Sequence, residues 1–209
     1  MSLNFKGAFD MYSIKKTADR ITSFDDAAWN DAEIAEIKHE NWIKCSEKIS
    51  TIGRLLYSDY GIHIKMETDE KPLLARQTAQ NSDVYRDSCM ELFIRPNEND
   101  KRYLNFEFNP FGTMYLAIRT SSYDGEFPKK DREYFEVKSY VNDEKWVLQF
   151  TIPFEFIDEA FGTHTDTMYA NLFKCGDETP HEHYISYSPV NSEVMDLHQS
   201  EFFAKFILE

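Results

Sequence analysis

Hydrophobic and polar residues alternate with a period of two along much of the chain, a pattern that is typical of β-strands. Residues 89–95 are one example, because Met90, Leu92 and Ile94 fall on one face of the predicted strand. The alternation predicts strands at residues 61–67, 89–95, 103–109, 113–119, 134–141, 145–152, 168–174, 184–187 and 203–208. The segment Asn109-Pro110-Phe111-Gly112 has the turn residues of a hairpin loop.

Helix-forming patterns are scarce. Pro153 precedes and Gly162 follows residues 154–161, and this arrangement predicts one short helix. A single helical turn is predicted near residues 25–29. Many short strands with turns between them predict an all-β fold, an antiparallel β-sandwich with one or two short helices. Because no linker, repeat or low-complexity segment interrupts residues 1–209, we expect a single domain.

The charge of the chain narrows the classes of partner. Among 209 residues, 37 are Asp or Glu and 23 are Lys or Arg, which gives a net charge of −14. Such a surface repels nucleic-acid phosphates and anionic membranes, and no apolar run approaches the ~20 residues that cross a bilayer. We therefore expect no nucleic-acid partner and no membrane insertion. The first residues lack a secretory signal, so either a cytoplasmic location or export with the signal removed is compatible.

One face of three successive predicted strands is polar and aromatic. A plain solvent-exposed face would be richer in Lys and Thr. Rings mixed with carboxylates and amides suit sugars, because rings stack on pyranose faces while polar groups bind vicinal hydroxyls. Alternatively, a second layer of protein covers these side chains. The face comprises Glu91, Phe93, Tyr103, Asn105, Glu107, Asn109, Tyr115 and Arg119.

Three segments carry a resemblance to a known family: DSCMELFI at residues 87–94, YLNFEFNPFG at 103–112 and WVLQFTIP at 146–153. Their order and spacing resemble the family 9 carbohydrate-binding modules, and more closely the stand-alone family 9-like, DOMON-like proteins of gut and soil bacteria. The resemblance covers residues 22–208, with residues 1–21 as an N-terminal extension or first strand. It implies a jelly-roll-like sandwich that binds a carbohydrate ligand, commonly at a chain end, often with structural calcium.

The resemblance also implies site residues. Family members typically clamp a sugar between two aromatic rings, and Tyr85 lies near the position of the first ring. Glu91 matches the polar group that follows it, and Glu107 stands where some members place a basic residue. The second ring would fall near Leu197 and His198, where no Phe, Tyr or Trp is found. The expected carbohydrate-binding residues are Tyr85, Arg86, Glu91, Asn105, Glu107, Asn109, Tyr115 and His198; the metal ligands remain unassigned, with acidic segments at residues 25–26, 97–100 and 142–144 as candidates.

Two other functions are compatible with the same residues. Glu91 and Glu107 could form the acid and nucleophile pair of a glycoside-processing enzyme, which requires a separation of ~5–9 Å. Exposed rings could instead form a flat patch that binds a protein partner. The segment His181-Glu182-His183 has metal-ligand chemistry but needs a third ligand from elsewhere. The sequence leaves open the oligomeric state and whether residues 119–133 fold over the polar face.

Overall fold

The structure, a computed structural model, describes residues 11–209. Within them the chain forms thirteen strands, one α-helix and three short 3-10 helices. The strands are β1 (Tyr12–Lys16), β2 (Ala35–Ile37), β3 (His39–Glu40), β4 (Thr51–Ser58), β5 (Gly61–Thr68), β6 (Cys89–Arg95), β7 (Tyr103–Phe108), β8 (Met114–Arg119), β9 (Lys138–Val141), β10 (Trp146–Pro153), β11 (Thr167–Cys175), β12 (Tyr184–Ser186) and β13 (Ala204–Leu208). Helix α1 covers Phe154–Phe161, and the 3-10 helices cover Ala27–Asn30, Val84–Arg86 and Ser200–Phe202.

The strands form one curled sheet whose two halves face each other. One half has the order β8-β7-β6-β11-β13 and the other has the order β4-β5-β10-β9. Strand β1 joins the halves, because residues 12–14 pair in parallel with β13 and residues 15–16 pair in parallel with β4. Of the predicted extension or first strand over residues 1–21, only residues from 11 onward are described, and they contain β1.

A large apolar cluster fills the space between the two halves. Phe106 and Phe108 of β7 meet Phe150 of β10 at ring-centroid distances of 5.4 Å and 4.7 Å. Alternate residues of β5, β6 and β8 complete this core, and all lie at the positions that the period of two predicts. The predicted all-β sandwich is therefore confirmed.

One predicted strand is shorter in the structure. The sequence pattern predicts a strand over residues 134–141, but β9 begins only at Lys138. Residues before it form turns, and the backbone carbonyl of Phe135 accepts a hydrogen bond from the Thr151 amide. Phe135 is thereby inserted into the core against Phe106 and Phe156, at centroid distances of 5.0 Å each. No helix of residues 11–209 is long and apolar enough to span a bilayer.

Candidate functional site

The polar, aromatic face predicted from the sequence lies on the outer side of β6, β7, β8 and β11. Part of this face forms a second apolar cluster, in which Phe93, Tyr103 and Phe173 pack with Phe203 and smaller neighbours. This cluster lies on the side of the sheet opposite the main core, because its members alternate with the core residues along each strand. Strands β6 and β7 are thus buried on both faces.

Glu91 and Glu107 lie side by side on this outer face. They are directly opposite each other in the register of β6 and β7. Their exposed fractions are only 3% and 5%. Oε1 of Glu107 accepts a hydrogen bond of 3.0 Å from Nδ2 of Asn105, whereas its buried Oε2 has no hydrogen-bond partner among the described residues. The pair therefore includes a buried hydrogen-bond acceptor without a donor among the described residues, whereas folded proteins normally pair such groups.

The environment of the pair favours protonation. Burial raises the pKa of Glu107 to about 7, against the weaker lowering effects of the Asn105 hydrogen bond and of Arg119. The pKa of Glu91 is raised by burial first and by the Glu107 charge second. Two carboxyl groups that share a site cannot both ionise easily, so the pair retains a proton near neutral pH.

Arg119 is the cation next to the pair, and it is held by neighbouring groups. Its Nε donates a 3.0 Å hydrogen bond to Oδ1 of Asn105, and Asn105 in turn donates to Glu107. Its terminal nitrogens donate to the Tyr115 hydroxyl and to the backbone carbonyls of Ser122 and Asp124. The half-buried Tyr115 is therefore fixed beside Glu107, its register partner across β7 and β8.

His198 contributes to the cover over the outer face. Its imidazole stacks on Phe93 at a centroid distance of 4.7 Å and an interplanar angle of 21°. Its Nδ1 lies 2.9 Å from the hydroxyl of Tyr103. The segment around Leu197 to Phe203 thus covers these two rings, while the loop after Arg119 joins it through a 2.8 Å hydrogen bond from Ser122 to Asp196.

Tyr85 and Arg86 lie at the surface, on the 3-10 helix that packs against β6 and β7. The Tyr85 side chain is 36% exposed. Arg86 forms ion pairs with Asp83 at 3.1 Å and with Glu178 at 2.8 Å. Tyr85 thus has the accessibility that a stacking ring requires, whereas the guanidinium of Arg86 already has two carboxylate partners.

The side chain of Asn109 is used within the fold. Its Nδ2 donates to the carbonyl of Gln77 at 2.7 Å and to Asp87 at 2.9 Å. Its Oδ1 accepts from the backbone amides of Phe111 and Thr113. Asn109 is fully buried and organises the β7–β8 turn, so its amide group is not part of the proposed site.

Several groups near this face were not singled out from the sequence. Phe127 is about half exposed and makes an edge contact with Tyr115 at 5.8 Å. Tyr184 meets Trp42 edge-on at 6.0 Å, and burial raises the pKa of the adjacent Asp177 to about 6. Phe127 and Trp42 lie outside regular strands, where the period of two gives no information about the direction of a side chain.

The predicted calcium ligands remain unassigned. Calcium takes ~6–8 oxygen ligands, and residues 11–209 contain no group of three or more His, Cys, Asp or Glu side chains that could hold a metal ion. Side-chain oxygens of the acidic segments cap local turns instead, as Asp26 does for the Ala28 amide at 2.9 Å and Asn142 for the Glu144 amide at 2.9 Å. His181 contacts Ser46, and His183 contacts Lys174.

The fold is a β-sandwich with a polar and aromatic outer face on β6, β7, β8 and β11. The chain belongs to carbohydrate-binding family 9, whose sequence profile matches residues 24–208. Among curated proteins, a comparison found no match.

Solved structures support the same fold. A protein from Bacteroides uniformis ATCC 8492, to which carbohydrate binding has been provisionally assigned, is 25% identical with a TM-score of 0.81, over 96% of this chain and all of that one. A family 9 module from Caldicellulosiruptor kristjanssonii in complex with cellotriose is 13% identical with a TM-score of 0.67, over 96% of this chain and 94% of that one. A structure of such a module from the same organism with glucose gives a TM-score of 0.66 at 13% identity, with 96% of each chain covered.

Proposed function

We propose that this protein binds carbohydrate without transforming it, through the outer face of β6, β7 and β8, and that its ligand is an oligosaccharide or the end of a polysaccharide chain. Membership of carbohydrate-binding family 9 supports the class of ligand. The similar modules with cellotriose and glucose support a sugar ligand for the fold. The geometry of this chain supports the choice of site residues.

One observation carries the location of the site. Glu91 and Glu107 are buried side by side, and Oε2 of Glu107 lacks a hydrogen-bond partner among the described residues. A buried acceptor that is left unpaired costs about 1–3 kcal/mol, and the hydroxyl groups of a sugar are suitable donors. Because that oxygen is buried, a ligand reaches it only when neighbouring side chains of the cover shift.

Aromatic side chains at the rim would supply the second element of recognition. Tyr85 is exposed, and Phe127 is exposed beside Tyr115. Such rings provide flat apolar surfaces for the faces of a pyranose, and carboxylates below them provide specificity for hydroxyl groups. Tyr85, Glu91, Glu107, Tyr115 and His198 form the proposed binding face, with Arg86 at its edge. Asn105 is fully buried and supports Glu107 from within the fold.

Affinity electrophoresis and isothermal titration calorimetry against a panel of plant and host glycans test this proposal. We expect binding of at least one glycan, and we expect Tyr85→Ala to weaken it about tenfold, since a stacked ring contributes about 1 kcal/mol or more. Tyr140→Ala is the matched control, because Tyr140 is exposed on the edge strand β9. Absence of binding to every glycan, or an equal effect of the two substitutions, would contradict the proposal.

A further inference from the structure

We infer that the site selects a sugar unit with a free amino group, such as a glucosamine residue, over the corresponding neutral or acidic sugar. This inference rests on the proposed carbohydrate-binding function and names the class of ligand for that site. Its basis is the charge and hydrogen-bonding balance around Glu91 and Glu107.

Within residues 11–209, no free cation is supplied to the pair. Neither carboxyl forms an ion pair of 4.0 Å or less within residues 11–209. Arg119 directs its donors to Asn105, to Tyr115 and to loop carbonyls. Arg86 pairs with Asp83 and Glu178 instead. The guanidinium groups nearest this face are therefore engaged elsewhere.

The remaining neighbours of the pair are neutral or acidic. Cys89 of β6 and Cys175 of β11 lie beside Glu91, and burial keeps both thiols protonated by raising their pKa. Asp177, after β11, faces both carboxyls, and Asp83, before the 3-10 helix, faces Glu107. From β8, the charge of Arg119 and the neutral hydroxyl of Tyr115 face Glu107.

Lys174 does not neutralise the pair. It follows Phe173, which is the register partner of Glu91, so its side chain leaves the opposite face of β11. Its ammonium lies 2.7 Å from the carboxylate of Glu70. The outer face therefore has an excess of acidic groups, and one buried oxygen among them, Oε2 of Glu107, has no hydrogen-bond donor within residues 11–209.

The unpartnered Oε2 of Glu107 also favours an amine. Oε2 of Glu107 belongs to a side chain that is 95% buried, and no donor of the described residues reaches it. A hydroxyl group can donate one hydrogen bond to this atom, but it brings no charge that would allow the protonated pair to ionise. An ammonium donates three hydrogen bonds and also carries the compensating charge, which makes it the better complement in a poorly solvated site. A uronate would add a further negative charge and is disfavoured.

Calorimetry with sugars that differ only at carbon 2 tests the inference. Glucosamine, N-acetylglucosamine and glucose would be titrated as monosaccharides and as β-1,4-linked trisaccharides at pH 6.5, with glucuronic acid as the acidic comparison. We expect the free-amine sugar to bind at least tenfold more tightly than its neutral counterparts. Titration in two buffers of different ionisation enthalpy should show release of close to one proton for the amine and none for glucose.

Glu107→Gln should abolish both the amine preference and the proton release, and it removes a buried charge, so it should not impair folding. Glu144→Gln, on the exposed β9–β10 turn, is the matched control and should change neither. Equal or tighter binding of a neutral sugar, or an amine preference that survives Glu107→Gln, would overturn the inference while leaving carbohydrate binding intact. Failure to bind every sugar of this set and of the glycan panel would instead contradict the proposed function.

Discussion

Lys174 and Glu70 form a 2.7 Å ion pair with both side chains buried. The ammonium also donates to the carbonyl of Cys175 at 2.7 Å and lies 3.0 Å from Nε2 of His183. Burial, followed by the charge of Lys174, lowers the pKa of His183 to about 3, so this imidazole is neutral and accepts at Nε2. Oε1 of Glu70 accepts a 2.9 Å hydrogen bond from the Ser88 hydroxyl, which extends this buried polar network.

Removal of the ammonium should destabilise the fold strongly. Lys174→Met leaves the Glu70 carboxylate buried without its partner, and such a loss costs about 3–5 kcal/mol. Lys16→Met is the matched control, because the pair of Lys16 with Asp59 is also 2.7 Å long but lies at the surface. It should change stability little, because an ion pair at the surface is well solvated and weak. Urea unfolding of both variants checks this prediction, and similar losses for the two would contradict it.

The Glu91–Glu107 pair should make stability depend on pH. The folded pKa of Glu107 is about 7 because of burial, whereas an unfolded glutamate titrates near 4.3. Between these values the folded protein holds more protons, so this contribution is fully present below the unfolded pKa and is lost as pH rises through about 7. The whole loss is about 4 kcal/mol.

Glu107→Gln isolates this effect, since histidines with lowered pKa act in the opposite direction in both proteins. The variant should gain stability relative to the wild type as pH rises from 5 to about 8. Unfolding free energies from urea titrations at several pH values within that window give the difference directly. A difference that stays constant across the window would show that the pair ionises as exposed carboxyls do.

His198 should serve both stability and ligand binding. His198→Ala removes the stack on Phe93 and the contact with the Tyr103 hydroxyl, and we expect a loss of about 1–2 kcal/mol together with weaker sugar binding. His164→Ala is the matched control, because His164 stacks on Phe154 at 4.1 Å and contacts Asp158 at 2.9 Å, beside α1. It should lose similar stability in urea unfolding but keep the affinity measured by calorimetry. Equal affinities for the two variants would remove His198 from the site.

Gly61 should not tolerate a side chain. A Cβ atom at this position would lie 2.3 Å from the carbonyl oxygen of Ile152, because β5 and β10 approach closely where the Phe154 amide donates to Tyr60. Gly61→Ala should therefore destabilise the protein by about 1–3 kcal/mol. Gly125→Ala, where the nearest atom would lie at 3.5 Å, should change stability by less than about 0.5 kcal/mol. Thermal and urea unfolding distinguish these results.

The fold could be predicted from the sequence where a residue's own neighbours determine its direction. Residues 89–95 and 154–161 match β6 and α1, because the alternation in the strand and the Pro and Gly at the ends of the helix act locally. Phe135 shows the limit, since its ring enters the core from turns and only looks like part of a strand.

The site could be predicted less fully, for the same physical reason. The alternation predicts that Glu91 and Glu107 lie on one face of successive strands, and the register of β6 and β7 pairs them directly. The cover depends on contacts between distant segments, such as that of Tyr103 with His198, 95 residues apart. No periodicity of either segment encodes such a contact. The burial of Asn109 likewise depends on Gln77 and Asp87, which belong to a loop 22 to 32 residues earlier.

Strand β1 gives the sandwich a particular resistance to tension. Its residues 12–14 lie parallel to β13, so a pull on residue 11 and an opposite pull on residue 209 would slide the two strands along each other. All hydrogen bonds of the pair would then bear the load together instead of opening one after another. The second half of β1 is held by β4 in the same parallel sense, which adds to the shear resistance.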